Sequence, residues 1–218
     1  MVYLRRAERR AQIIAGATAF FAQQGLSGQL RDLAKSLDIT QPLLYRYFPS
    51  KKHLLDTIFE ELFFKSWDDS WNELIIDQQI PLAKRIGQFY KAFDQEILNR
   101  DWVRLFVFSG LGGQTYNQLI FDQITSQIFR PLCVELRKFF GFGSVNPRQI
   151  TLQEIEVMLE THGILFYYRQ RQHIYSLPVY AEVDHIIRHM IIYMGQTISR
   201  LLVMLYPEES IKKRILKL

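Results

Sequence analysis

Between Gln41 and Lys51 the chain reads QPLLYRYFPSK, which sets an amide, a guanidinium, two phenols and an ammonium within eleven residues. Amide and guanidinium groups pair bidentately with adenine and guanine edges, an apolar side chain can meet a thymine methyl, and phenols and cations bind phosphates. Gln41, Leu43 and Arg46 are therefore candidates for base edges, with Pro42 among them on the same surface. Tyr45, Tyr47 and Lys51 are candidates for phosphates. A merely solvated helix would more often show Glu and Lys there.

These groups need a helix whose other face is pinned to a core. Leu44 and Phe48 are four apart and share one face,. Pro42 and Arg46 then point away, with Leu43 and Tyr47 on one flank and Gln41 and Tyr45 on the other. Thr40 is a good N-cap, and Pro42 lies just inside the helix, where a missing N–H matters little. Upstream, Leu30, Leu33, Ala34 and Leu37 give a preceding helix an apolar face, and Asp38-Ile39-Thr40 is the turn between the two,. Helix, short turn, helix is the layout of a helix-turn-helix DNA reader, with Arg31 assisting from the first helix. Ser50 caps the next helix after the Pro49 break. Lys51 falls in its first turn, where a cation opposes the helix dipole, which points to an external anion. That third helix is expected to run on through Leu54, Leu55, Ile58, Phe59, Leu62, Phe63 and Trp67 to Trp71 and Ile76.

The segment resembles the DNA-binding domain of the TetR family of bacterial transcriptional repressors. The family pattern of an apolar residue, Arg, any residue, Ile or Leu, and Ala is matched by Leu30, Arg31, Asp32, Leu33 and Ala34. Its Leu-Tyr-x-x-Phe-x-x-Lys is matched by Leu44, Tyr45, Phe48 and Lys51. The match covers about the first quarter of the chain. Where the family has Gly in the turn this chain has Asp38, which tolerates a left-handed backbone better than most residues. Where the family opens the first helix of the motif with Thr this chain has Gly28-Gln29, which makes Ser27 the candidate cap. The resemblance implies a dimer, because the last two long helices of such proteins form a four-helix bundle with those of a second subunit. It also implies that the larger domain senses a small molecule.

Charge agrees with a polyanion at one end. Residues 1–55 carry nine Lys and Arg against three acids, a balance of +6, and since the whole chain is +5 the other 163 residues sum to −1,. The charge alone fits a generic basic terminus or a membrane surface as well. Residues 1–9 read as a basic arm that either follows the phosphate backbone or is simply solvated. No apolar run is long enough to span a bilayer. Arg5 to Arg10 before AQIIAGATAFFA mimics a signal peptide, but Ile13, Ile14, Ala17, Phe20 and Phe21 form one helical stripe that Gly25 would end,. The single Cys133 excludes an intramolecular disulfide and is expected as a small core residue in a reducing, cytoplasmic setting,.

Beyond Asp77 the pattern is helical throughout. Pro81 opens a helix bearing Ile86, Phe89, Tyr90, Phe93 and Ile97. Asp101 is the candidate cap of a short helix that Gly110, Gly112 and Gly113 end. Pro131 should kink or break the helix bearing Ile120, Phe121, Ile124 and Ile128. Thr151-Leu152-Gln153-Glu154 is a capping box. After Pro178 comes the longest periodic segment, Val183 to Leu205, ended by Pro207. Residues Pro207–Leu218 suggest a short amphipathic turn through Ile211 and Ile215. The helices at about 151–173 and 181–206 are too apolar for one solvent-facing surface. They are expected to be covered within the chain or, on the family resemblance, by a second copy.

Aromatic residues crowd the middle of the chain. Trp67, Phe89, Phe93, Trp102 and Phe106 are candidates to line an apolar effector site, with Tyr116, His162 and Tyr167 as polar groups, and ordinary core is the alternative,. His185 and His189 are four apart beside Glu182 and Asp184, yet no third ligand accompanies them, and surface or dimer histidines fit better than a metal site. There is no GxSxG, P-loop, dinucleotide fingerprint or HExxH, so nothing points to catalysis or to a cofactor. The expectation is an all-α protein. An N-terminal three-helix helix-turn-helix domain over residues 1–50 precedes a larger helical effector-binding and dimerisation domain over 51–218. It would act on a double-stranded operator as a homodimer released by a small hydrophobic or aromatic effector. The alternative is a ligand-independent architectural or partner-binding helical protein.

Overall fold

The computed structural model describes residues 6–65, 67–113 and 116–208, and among these every regular element is helical. Of the basic arm expected over residues 1–9, residues 6–9 are already helical, and residues 1–5, like the turn through Ile211 and Ile215, lie outside the described residues. The chain forms two compact units, one of residues 1–67 and 97–120 and the other of 68–96 and 121–218. The unit that holds the reader is thus larger than the first fifty residues and takes in a later segment of the chain.

In the first unit, α1 (Arg6–Gln24) buries Ile13, Ala17, Phe21 and Ala22, and ends at Gly25, whose φ of +81° is the left-handed cap glycine accepts without strain,. Then come α2 (Leu30–Ser36), α3 (Gln41–Tyr47) and α4 (Lys51–Phe59). The N-cap of α2 is Gln29, with no side-chain hydrogen bond, so Ser27 is not the cap. Helix α4 runs into a π-helical turn, Glu60–Phe64, and stops. The long helix expected through Trp71 to Ile76 is therefore two pieces. A new helix, α5 (Ser70–Ile76), already part of the second unit, begins where the Asp68 carboxylate accepts from the Ser70 N–H at 2.8 Å. Asp68 competes for the backbone there as short polar side chains do, and the apolar periodicity on either side hid that break. The later segment of this unit is α7 (Arg100–Leu111). Its cap is Asn99, which accepts from the Trp102 N–H at 3.0 Å. The expected cap, Asp101, is two residues too far in: it already lies inside the first turn, and a cap needs an extended backbone just before the helix,.

In the second unit, α6 (Leu82–Glu96) turns Ile86, Phe89, Tyr90 and Phe93 inward. The helix α8 (Tyr116–Ile124) begins in the first unit, crosses at residues 120–121, and passes through a second π turn, Thr125–Phe129, into α9 (Arg130–Phe139). Pro131 is the second residue of α9, and the helical run continues across it without the expected break. The wide turn just before it is where a π-helical insertion relaxes the ladder that a proline would otherwise obstruct. The box at Thr151 opens α10 (Leu152–His173), with the Thr151 hydroxyl and Glu154 carboxylate bonded reciprocally to backbone N–H groups. The long α11 (Val183–Leu205) packs along α10 and α6. No described helix is long and apolar enough to cross a membrane.

Candidate nucleic-acid interface

The turn before α3 decides where the reader points. Asp38 adopts φ +51°, the left-handed conformation in which the sequence has Asp rather than Gly. The chain is held there by Ile39 N–H donating to Ala34 O at 3.0 Å, and Thr40 Oγ1 then accepts from Leu43 N–H at 3.4 Å. Pro42 sits inside the first turn. Leu44 and Phe48 are fully buried, and each such side chain stabilises the reader by about 1.5–3 kcal/mol,. With that face pinned, Pro42, Tyr45 and Arg46 are exposed, and Gln41, Leu43 and Tyr47 are half-buried at the flanks. Arg46 lies 5.9 Å from the Tyr47 ring centroid, so the guanidinium and the phenol share a surface. Arg31 is exposed on α2, 3.8 Å from the carboxylate of Asp32.

Ser50 Oγ accepts from His53 N–H at 3.1 Å and starts α4. Lys51 follows, half-buried, with its ammonium 5.6 Å from the Phe21 ring centroid. Partial burial lowers its pKa from the usual value. The Phe21 ring thus fixes the stem of Lys51 beside α3 while the residue stays partly open to solvent. Arg10 from α1 approaches Phe48 at 5.4 Å. Arg6, Arg10, Arg31, Lys35, Arg46 and Lys52 are exposed in the same unit.

The eight aromatic and polar candidates for an effector site do not meet in one place. Trp102, Phe106 and Tyr116 belong to the first unit. The Trp102 and Phe106 rings stack at 5.0 Å and 8°, and Phe63 lies 5.0 Å from Trp102. Tyr116 stacks on Phe59 at 4.1 Å, and its hydroxyl donates to the Asp56 carboxylate. Asp56 also takes Lys52 Nζ at 2.8 Å; burial pushes the Asp56 carboxyl up, and those two donors bring it below the ordinary range. Trp67 is half-buried at the end of the same unit.

Phe89, Phe93 and His162 meet in the second unit. The His162 ring lies 5.2 Å from Phe93, 5.6 Å from Phe129 and 6.0 Å from Tyr90. Trp71 touches Phe89 and Phe93 edge-on at 5.8 and 5.9 Å. Burial lowers the His162 pKa to about 4. Tyr167 is 55% exposed on α10 and belongs to neither cluster. Tyr90 and Phe129 were missed as site residues, although a tyrosine on the apolar face of α6 is a hydroxyl carried into a core. Cys133 is buried, as expected of a core residue. His185 and His189 are exposed with ring centroids 4.2 Å apart. Among the described residues no three His, Cys, Asp or Glu gather as metal ligands.

Residues 13–58 match the model of the bacterial regulatory proteins of the tetR family. The chain matches none of the curated proteins. Three solved structures share the fold. A protein of Mesorhizobium loti described as a TetR-family transcriptional regulator is 13% identical over 91% of this chain and 98% of its own, with a TM-score of 0.61. A TetR family transcriptional regulator of Pseudomonas syringae pv. tomato is 14% identical over 88% and 97%, with a TM-score of 0.58. A tetR-family regulator of Streptomyces coelicolor is 16% identical over 98% and 90%, with a TM-score of 0.57. Residues 13–58 therefore form a domain of the tetR family of bacterial regulatory proteins, and the chain shares the fold of solved TetR-family transcriptional regulators.

Proposed function

We propose that the protein is a cytoplasmic repressor that binds a palindromic operator as a homodimer and leaves it when a small hydrophobic or aromatic effector binds. The observation that carries this reading is the division of α3, with Leu44 and Phe48 buried behind it and Pro42, Tyr45 and Arg46 exposed in front. Gln41, Leu43 and Arg46 approach base edges in the major groove, with Arg31 assisting. Tyr45, Tyr47 and Lys51 hold phosphates on either side.

The dimer forms through α10 and α11. What supports it is apolar surface left open on α11, at Ile192, Tyr193, Val203 and Met204, and on α10 at Ile164 and Tyr167. Apolar groups grouped on one surface mark an interface more often than scattered ones do. Paired readers must reach half-sites about 34–36 Å apart or a multiple of that. The effector acts on the second unit, whose aromatic cluster includes Phe89, Phe93 and His162, and favours a reader separation that no longer fits. The chain passes between the units at residues 67–68, 96–97 and 120–121, and these crossings are the covalent routes for that effect.

The test is a binding titration of the full chain against its own flanking intergenic DNA and against random DNA of equal length, at two salt concentrations. A preference of about a thousandfold or more is expected of a specific regulator. Equal and steeply salt-dependent binding to both DNAs would instead leave a basic surface without an operator at that position.

A further inference from the structure

Among the buried polar atoms of the second unit that lack a hydrogen-bond partner are Arg85 Nε, Gln127 Oε1, Arg171 Nε, Tyr90 Oη and His162 Nδ1, and the last two share one aromatic cluster. The His162 and Tyr90 rings are 6.0 Å apart, and Phe93 and Phe129 close around the imidazole at 5.2 and 5.6 Å. An unmet buried donor or acceptor costs about 1–3 kcal/mol, and native cores leave few of them. Polar groups beside the cluster are bonded. Thr161 Oγ1 donates to Val157 O at 2.7 Å, and Cys133 Sγ lies 3.8 Å from Glu154 O.

Charge narrows the chemistry. The cluster of Trp71, Phe89, Tyr90, Phe93, Phe129 and His162 contains no carboxylate, ammonium or guanidinium. The buried charges of this unit are taken up by one another, Arg85 with Glu135 at 2.9 Å, Arg137 with Glu154 at 2.7 Å, and Asp94 with Arg169. A charged ligand entering the cluster would lose its hydration and find no counter-charge. Burial keeps the imidazole neutral at pH 7, with a pKa of about 4.

We infer that this cluster is the recognition site of a neutral, hydroxyl-bearing aromatic compound, whose hydroxyl bonds to His162 Nδ1 and Tyr90 Oη. A hydroxyl both donates and accepts, so it suits either imidazole tautomer and either direction of the tyrosine O–H. The rings offer the apolar body edge and face contacts. Because these rings already touch, a ligand must part α6 from α10 to enter, and occupancy is thereby felt by both helices. The inference rests on the reading of the protein as an effector-responsive regulator, and supplies the class of effector.

The test uses the full-length protein at pH 7 with three probes of one size: 1-naphthol, naphthalene and 1-naphthoate. Dissociation constants are measured by titration calorimetry. The protein is expected to hold 1-naphthol about tenfold tighter than naphthalene, in line with one or two hydrogen bonds gained, and to reject 1-naphthoate. Tyr90→Phe and His162→Phe should lose the preference for 1-naphthol over naphthalene, and melt no lower than the parent without ligand. Equal affinity for 1-naphthol and naphthalene in the parent would overturn the proposal. So would a lower melting temperature in both variants, which would mean that a buried water already satisfies the two groups. Tight binding of 1-naphthoate alone sinks the proposal and leaves effector sensing intact. Failure of all three probes and of a hydrophobic dye to bind the folded protein sinks both.

Discussion

Arg137 donates from Nε and Nη2 to the two carboxylate oxygens of Glu154, at 2.7 and 2.8 Å, and neither side chain is more than 5% exposed. The same Nη2 donates to Tyr206 Oη at 2.5 Å, and the guanidinium lies 4.5 Å from the Tyr206 ring centroid. One fork thus joins α9 to the start of α10 and to the residue that follows α11. Burial pushes the Glu154 carboxyl up, but bonds from Arg137 and Thr151 outweigh it and hold it below the usual range. Glu154→Gln leaves a buried guanidinium without its counter-charge and should lower stability by about 3–5 kcal/mol. Thr151→Ala removes only the hydroxyl of the capping box and should cost about 1 kcal/mol. Urea denaturation checks both, and equal losses would show that the ion pair contributes no more than the cap.

His162 should make stability fall between neutral pH and about pH 4. Its folded pKa of about 4 lies below the unfolded value of about 6.5, so in that window the unfolded chain binds more protons and is favoured as pH drops,. From pH 7 to pH 5 the loss attributable to this residue is about 2 kcal/mol. Urea midpoints across that range should fall less steeply in His162→Phe than in the parent. Parallel curves would place the proton uptake elsewhere.

The turn at Asp38 carries backbone strain that a glycine relieves. At φ +51° a β-branched residue is disfavoured, so Asp38→Val should destabilise the protein by about 1–2 kcal/mol,. Asp38→Gly should be neutral or slightly stabilising. Thermal melts of the two variants separate these outcomes, and a tolerated valine would show that the turn adapts. Loss of operator affinity in Asp38→Val at a temperature where it stays folded would tie the turn to the aim of α3.

Arg46 and Lys51 should fail differently when truncated. Arg46→Ala is expected to lose about 1–3 kcal/mol of operator affinity and to relax the preference at its base pair. Lys51→Ala should weaken binding to all sequences alike and flatten the salt dependence by about one phosphate. An unchanged salt slope in Lys51→Ala would assign its ammonium to the Phe21 contact alone.

What the sequence by itself determined is what lies within one helical turn. The caps at Thr40, Ser50 and Thr151 and the left-handed residues Gly25 and Asp38 depend on partners at most four or five residues away, and the spacing of Leu44 and Phe48 alone puts both on one face,. Hydrophobic period and capping chemistry encode such contacts directly. Breaks were less legible where apolar spacing ran across them, as at Phe64 and Asp68, or where a π turn made room for Pro131. Only the tertiary structure decided which distant side chains share a site. It divided the aromatic candidates between two units, set Tyr116 against Asp56 sixty residues away, and placed His162 among Phe93, Phe129 and Tyr90. Periodicity tells which face of a helix is buried but not against which helix it packs, and the partners of a buried polar atom follow from that second choice.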